Sequence, residues 1–143
     1  MKYEFKLSTP KDDLYNITAQ VREAIAKSGI SDGVAIVFCP HTTAGITINE
    51  NADLGCQPEQ DAKRPTRADV VHDMLLGLDK AFPDRAEFRH GEGNSAAHLK
   101  ASAVGSSVTV LVANCKPVLG TWQSVYFCEF DPPRNRTFYV KVI

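Results

Sequence analysis

Three of the four histidines in this chain stand where a ligand-binding or catalytic group is expected. His41 ends the apolar run Val34-Ala35-Ile36-Val37-Phe38-Cys39-Pro40 and opens His41-Thr42-Thr43-Ala44-Gly45. His90 and His98 bracket Gly91-Glu92-Gly93-Asn94-Ser95-Ala96-Ala97. Neutral imidazole is the commonest side-chain metal ligand, and three imidazoles leave a coordination position open for water or substrate. No pair has the i, i+4 spacing of a helical zinc motif, so three unrelated surface or capping histidines fit the spacing equally well.

Other residues offer different chemistry. The hydroxyls of Thr42 and Thr43, and the sparsely covered backbone N–H groups of Gly91-Glu92-Gly93-Asn94, suit an oxyanion, although a glycine cluster also makes an ordinary turn. Neither stretch matches a phosphate-binding P-loop or a dinucleotide fingerprint. Asn49-Glu50-Asn51-Ala52-Asp53 is a dense polar cluster after an apolar segment. Asn51 or Asp53 suits helix capping, and Glu50 suits a general base or an orienter of an imidazole. Arg134 and Arg136 flank the turn Asp131-Pro132-Pro133-Arg134-Asn135, where they suit either a phosphate or plain solvation. The sole tryptophan, Trp122, reads as a core or interface anchor at a strand start before it reads as a stacking platform. Cys39 and Cys128 lie in apolar runs and read as buried thiols rather than nucleophiles.

The elements that must position these residues follow from periodicity. Residues 2–7 alternate as a half-buried strand, and Leu14 to Ile17 reads as its hairpin return. Thr18 suits a helix N-cap, with Val21, Ala24 and Ile25 on one face and Gly29 as the stop. The run 34–39 predicts a strand buried on both faces, followed by a short strand at Ile46–Ile48. Leu54 to Arg67 has no sustained period and reads as a surface loop. A second helix is predicted over 67–82, closed by Pro83, and a short amphipathic segment over 98–102. Strands are predicted at 107–112, 120–131 and 137–143. The pattern predicts one compact α+β domain over 1–143, with a largely antiparallel, β-sandwich-like core and two main helices.

Composition narrows the class. With 143 residues, 43% hydrophobic and 23% charged, the chain has the profile of a globular domain. A net charge of -1 creates no global field for nucleic acid or an anionic membrane, so neither is an expected partner. No stretch reaches membrane-spanning length, no secretory h-region opens the chain, and the scattered cysteines contain no CxxC pair, so the expected location is cytoplasmic.

Three motifs in order resemble a known family: His41-Thr42-Thr43-Ala44-Gly45-Ile46-Thr47-Ile48-Asn49-Glu50-Asn51-Ala52-Asp53, then Gly91-Glu92-Gly93-Asn94 with His98-Leu99-Lys100-Ala101-Ser102, then Leu119-Gly120-Thr121-Trp122-Gln123. They are similar to the YjbQ family. That resemblance implies a homotrimer and a secondary thiamine phosphate synthase activity, joining a pyrimidine diphosphate to a thiazole phosphate with loss of pyrophosphate. It implies metal ligation by His41, His90 and His98, with zinc the expected ion and magnesium the alternative. Catalytic roles fall to His41, Glu50 and Asp53, and contacts to a small phosphorylated substrate to Asn51, Gly91, Gly93, Asn94, Lys100, Thr121 and Arg134. Two alternatives accompany this reading: a metal-dependent hydrolase acting on a phosphorylated substrate, and a non-catalytic metal- or small-molecule-binding trimer. The chain departs from the family pattern in two places. An insertion over 54–67 separates the first motif from Ala68-Asp69-Val70, and Asn114-Cys115-Lys116 replaces Asn-Gly-Lys.

Overall fold

Eight strands and three helices are present in the computed structural model, which describes residues 1–51 and 70–143. Asp53, the 54–67 insertion and Asp69 lie outside the described residues. In chain order the elements are β1 (Lys2–Thr9), β2 (Asp13–Asn16), α1 (Thr18–Ser28), β3 (Asp32–Phe38), β4 (Ala44–Glu50), α2 (Val70–Ala81) and α3 (Ser95–Val104), then β5 (Ser107–Ala113), β6 (Lys116–Pro117), β7 (Gln123–Glu129) and β8 (Arg134–Val142). The strands form two antiparallel sheets, one of order β1-β8-β3-β5-β6 and one of order β2-β7-β4. This is the α+β architecture expected, with the sheets facing each other across a shared core.

β7 sits at the centre of that arrangement. Its residues alternate between two cores, as the period-2 geometry of a strand requires. Val125 and Phe127 point into the main core, where they meet Ile46 of β4, Val37 of β3, Val110 of β5, and Phe138 and Val140 of β8. α1 contributes Val21 and Ile25 to the same cluster. Tyr126 and Cys128 point the other way, into a second core with Leu14 of β2, Val71 of α2, and Ala97 and Ala101 of α3. Each fully buried Phe, Ile or Val stabilises the fold by roughly 1.5–3 kcal/mol relative to exposure.

Several local expectations change. The strand buried on both faces is β7, not β3: Ala35 and Val37 are buried, but Phe38 is 41% exposed on the outer face. Residues 14–17 contribute a strand, but it pairs with β7 instead of returning along β1. Pro10 removes a backbone donor just after β1, and the chain crosses to the second sheet there. Thr18 is the first helical residue and not the cap; its Oγ1 accepts a 2.9 Å bond from the Val125 N–H, which ties α1 to β7. Gly29, at φ 70°, ends α1 in the left-handed region as expected. The Ser95-Ala96-Ala97 stretch is helical, so α3 is longer than the predicted 98–102 segment and makes a third helix among the described residues. Trp122 is not a core anchor: it is 60% exposed in the turn before β7.

Candidate functional site

The two sheets are pinned together at one end by a buried ion pair. Glu129, last residue of β7, is 0% exposed and faces the main core from the second sheet. Arg136 of β8 reaches it from the first sheet, with Nε donating to Oε1 at 2.7 Å and Nη2 to Oε2 at 2.5 Å. Thr9 Oγ1 of β1 and the Asp131 backbone N–H complete the carboxylate's shell. Burial alone pushes the Glu129 carboxyl up, but the bonds from Arg136, Thr9 and Asp131 outweigh it and hold the group below the usual glutamate range. Arg136 Nη2 also donates to Thr43 Oγ1 at 2.8 Å. Among the described residues Nη1 has no hydrogen-bond partner, so the fixed guanidinium retains a free edge.

This network lies against a cleft of about 490 Å³. His41, Thr42 and Thr43 line it from the segment before β4, Arg134 and Arg136 from β8, and His90, Glu92, Asn94 and His98 from the α3 approach. Gly93, at φ 72°, with its N–H donating 3.0 Å to the His90 carbonyl, makes the turn that sets those α3-side groups on the wall. The His90 and His98 rings meet edge to face with centroids 5.0 Å apart. A second hollow of about 390 Å³ adjoins the first and shares His41, Thr42 and His98 with it.

Two details bear on chemistry. His41 Nε2 lies 3.0 Å from both the backbone N and the backbone O of Thr137. In one tautomer Nε2 accepts from that N–H and Nδ1 carries the proton; in the other Nε2 donates to the carbonyl and Nδ1 presents a lone pair. Burial, then the Arg136 charge, push the imidazole below its ordinary pKa, so it is neutral at pH 7. Asn94 Nδ2 donates to Asp131 Oδ2 at 2.8 Å, which fixes the amide's orientation. Its Oδ1 is buried and, among the described residues, has no donor. A buried acceptor of this kind calls for a donor, which a ligand hydroxyl or an ordered water would supply.

The expected site residues divide sharply. His41, His90, His98, Asn94 and Arg134 come together on the cleft. Gly91 and Gly93 shape the turn and do not line it. Glu50 and Asn51 do not join it. Ala44 pairs with Glu129 at the cleft end of β4, whereas Glu50 pairs with Gln123 at the other end, six residues along. At about 3.3 Å per residue that is roughly 20 Å away. There the Asn51 N–H donates to the Trp122 carbonyl, Asn51 Nδ2 to Ser124 Oγ, and Tyr126 Oη to the Glu50 carbonyl, all of it strand-edge structure. Thr121 is exposed in the adjacent turn. Lys100 is ion-paired with Asp79 and does not line the cleft. Glu129 is not among the residues expected from the sequence, though a lone carboxylate ending the run Val125-Tyr126-Phe127-Cys128 is a signal of its own, since a buried charge needs a partner.

The metal expectation fares differently from the cleft itself. Among the described residues no three His, Cys, Asp or Glu side chains are placed to hold a metal ion, so His41, His90 and His98 share a wall without forming the ligand set predicted. Also among the described residues, no helix is long and apolar enough to cross a membrane.

Comparison with known proteins places these features in a lineage. The family model described as UPF0047 protein YjbQ-like matches residues 3–143. The UPF0047 protein YugU of Bacillus subtilis is 47% identical over 137 residues, covering 95% of this chain and 93% of its own. A UPF0047 protein of Methanocaldococcus jannaschii is 44% identical over 144 residues, covering 100% of this chain and 94% of its own. A crystal structure of an uncharacterized YjbQ/UPF0047 protein from Clostridium acetobutylicum superposes with a TM-score of 0.83 at 49% identity, covering 99% of both chains. A YbjQ-like protein of unknown function from Sulfolobus solfataricus gives 0.83 at 28% identity, covering 99% of this chain and 95% of its own. The thiamine phosphate synthase expectation is therefore corrected: these relatives bear family names without that activity, and the metal-ligand group it relied on is not formed among the described residues. Match, coverage and superposition agree that this chain belongs to the YjbQ-like UPF0047 family.

Proposed function

We propose that the cleft binds a small phosphorylated molecule and that His41 moves a proton on it, which makes the protein an acid–base enzyme. The observation that carries this is the buried Arg136 guanidinium. It is held rigid by Glu129 and Thr43, with Nη1 unpartnered among the described residues, on a wall it shares with three histidines. Donors arrive from three separate segments, which suits a tetrahedral oxyanion better than a planar carboxylate. Arg136 is balanced by Glu129 and Arg134 by Asp131, so the lobe offers directed N–H groups and little net field. Free phosphate is accordingly expected to bind weakly, in the millimolar range. A singly protonated phosphate also brings the hydroxyl that Asn94 Oδ1 lacks. The Thr137 peptide unit accommodates both tautomers of His41, so Nδ1 is able to give or take a proton without moving the ring.

The scattered free thiols Cys39, Cys115 and Cys128 support a cytoplasmic setting for this activity. The outer face of β3 and β5, where Phe38 and Leu111 are 41% and 61% exposed, supports self-association into a trimer. The test of the functional reading is calorimetric titration of inorganic phosphate into wild type, His98→Ala and Asn94→Ala. Saturable binding weakened at least fivefold in both variants is expected. No binding, or binding indifferent to both substitutions, would overturn the reading.

A further inference from the structure

The hollow that adjoins the phosphate lobe differs from it in one respect that bears on the ligand. Beyond the shared His41, Thr42 and His98, its walls are Ala44, Ala101, Ser102, Gly105 and Ser106. None of these five bears a charge. Ala44 comes from the start of β4, Ala101 and Ser102 from α3, and Gly105 and Ser106 from the link into β5. The two backbones close tightly at the base of this region. The Ile46 N–H donates 3.0 Å to the Gly105 carbonyl, and a Cβ on Gly45 would stand 2.6 Å from that same oxygen. Glycine at position 45 is therefore imposed where β4 meets the link after α3, and beside it small side chains wall the space next to the histidines.

We infer that the ligand is a phosphomonoester whose organic part is compact, uncharged and hydroxylated. Its phosphate would lie in the charged lobe, its body in the small-walled lobe, and the bond between them beside His41 and His98. This rests on the phosphate-binding reading above and specifies the substrate class for the same site. The chemistry of the walls selects against other bodies. A second anionic group would enter a lobe with no fixed cation to meet it, and would lose hydration without compensation. A long apolar chain would bury the hydroxyls of Ser102, Ser106 and Thr42 without partners. A hydroxylated body satisfies those hydroxyls and fits the combined cleft, whose lobes each fall in the size range of small-molecule sites. The junction places the phosphate-bearing carbon and its neighbours next to the imidazole read above as the proton carrier.

Three probes distinguish the outcomes: inorganic phosphate, glycerol 3-phosphate, and 3-phosphoglycerate, which keeps the phosphate but carries a carboxylate on the body. Calorimetry on the full chain is expected to show glycerol 3-phosphate binding about tenfold tighter than phosphate, the gain of a handful of well-placed atoms. 3-Phosphoglycerate should bind no tighter than phosphate. Ser102→Phe, at an exposed α3 position, fills the second lobe. It should abolish the glycerol 3-phosphate gain and leave phosphate affinity within twofold. Ser106→Phe fills the lobe from the link into β5, outside the helix, which covers the case in which the helix variant does not fold. If phosphate binds but glycerol 3-phosphate adds nothing, if 3-phosphoglycerate is the tightest, or if the gain survives both filled lobes, the inference is wrong while the phosphate site stands. If phosphate itself does not bind, the underlying reading fails and takes this one with it.

Discussion

Glu129→Gln isolates the role of the ion pair beneath the cleft. The substitution keeps the side chain's shape and removes its charge. Glu129 is fully buried and accepts bonds from Arg136 Nε and Nη2, Thr9 Oγ1 and the Asp131 N–H. A glutamine offers one acceptor oxygen and turns an NH2 group on donors that need an acceptor, leaving the 6%-exposed Arg136 side chain as an uncompensated cation. Breaking a buried pair from one side costs about 3–5 kcal/mol. At roughly 3 °C per kcal/mol for a chain of this size, Tm should fall by about 10–15 °C. Thermal unfolding followed by circular dichroism measures it. The paired variant Glu129→Leu/Arg136→Met should recover much of the loss, because both charges then leave together. The pH dependence has a definite sign. The folded-state pKa lies below the usual glutamate value, so the stabilisation is present above the unfolded value of about 4.3 and is lost as pH falls through the folded pKa. The gap between wild type and Glu129→Gln should therefore narrow below about pH 4. A Tm change under about 2 °C at pH 7, or a gap that widens in acid, would refute the reasoning.

Other substitutions test particular contacts. Gly45→Ala places a methyl carbon 2.6 Å from the Gly105 carbonyl oxygen, a backbone atom that is not free to turn aside. It should destabilise by about 1–3 kcal/mol in urea unfolding and weaken phosphate binding by shifting α3 from β4. Cys115→Gly should raise stability by up to about 1 kcal/mol, measured by the same titration. Asn114 and Cys115 both have positive φ, 53° and 59°, in the β5–β6 turn, and only glycine adopts that region without a Cβ penalty. Burial pushes the Cys39 thiol up to about 11 and the Cys128 thiol further, so a disulfide-exchange reagent at pH 7 should leave both unmodified until the protein unfolds.

Much of the fold was legible because periodicity reports directly on burial. β1, α1, α2 and β8 follow their apolar patterns closely. The misreadings share a cause: a pattern of hydrophobicity does not say which neighbour a strand receives. The run over β3 is apolar on both faces, but only one faces the core, and the other remains an exposed apolar surface. β2 has the composition of a hairpin return, yet its partner is β7, more than a hundred residues along the chain. That His41, His90, His98, Asn94 and Arg134 share one cleft follows the sequence expectation, since each stands in or beside a turn that the sequence marks. Glu50 and Asn51 were misplaced because they follow His41 closely in sequence, whereas a strand carries its two ends apart. Arg136 reads as a solvated turn residue until β8 is known to begin at Arg134, a register that points Arg136 inward to Glu129.

Residue-resolved NMR during titration with inorganic phosphate at pH 7 tests most directly whether the cleft beside the Glu129–Arg136 pair holds an oxyanion. The backbone amides of Thr42, Thr43 and Asn94 and the ring nitrogens of His41, His90 and His98 should shift together with one saturating midpoint, with His41 moving toward the tautomer protonated on Nδ1. Shifts confined to scattered surface lysines, or an unchanged spectrum at saturating phosphate, would contradict the account.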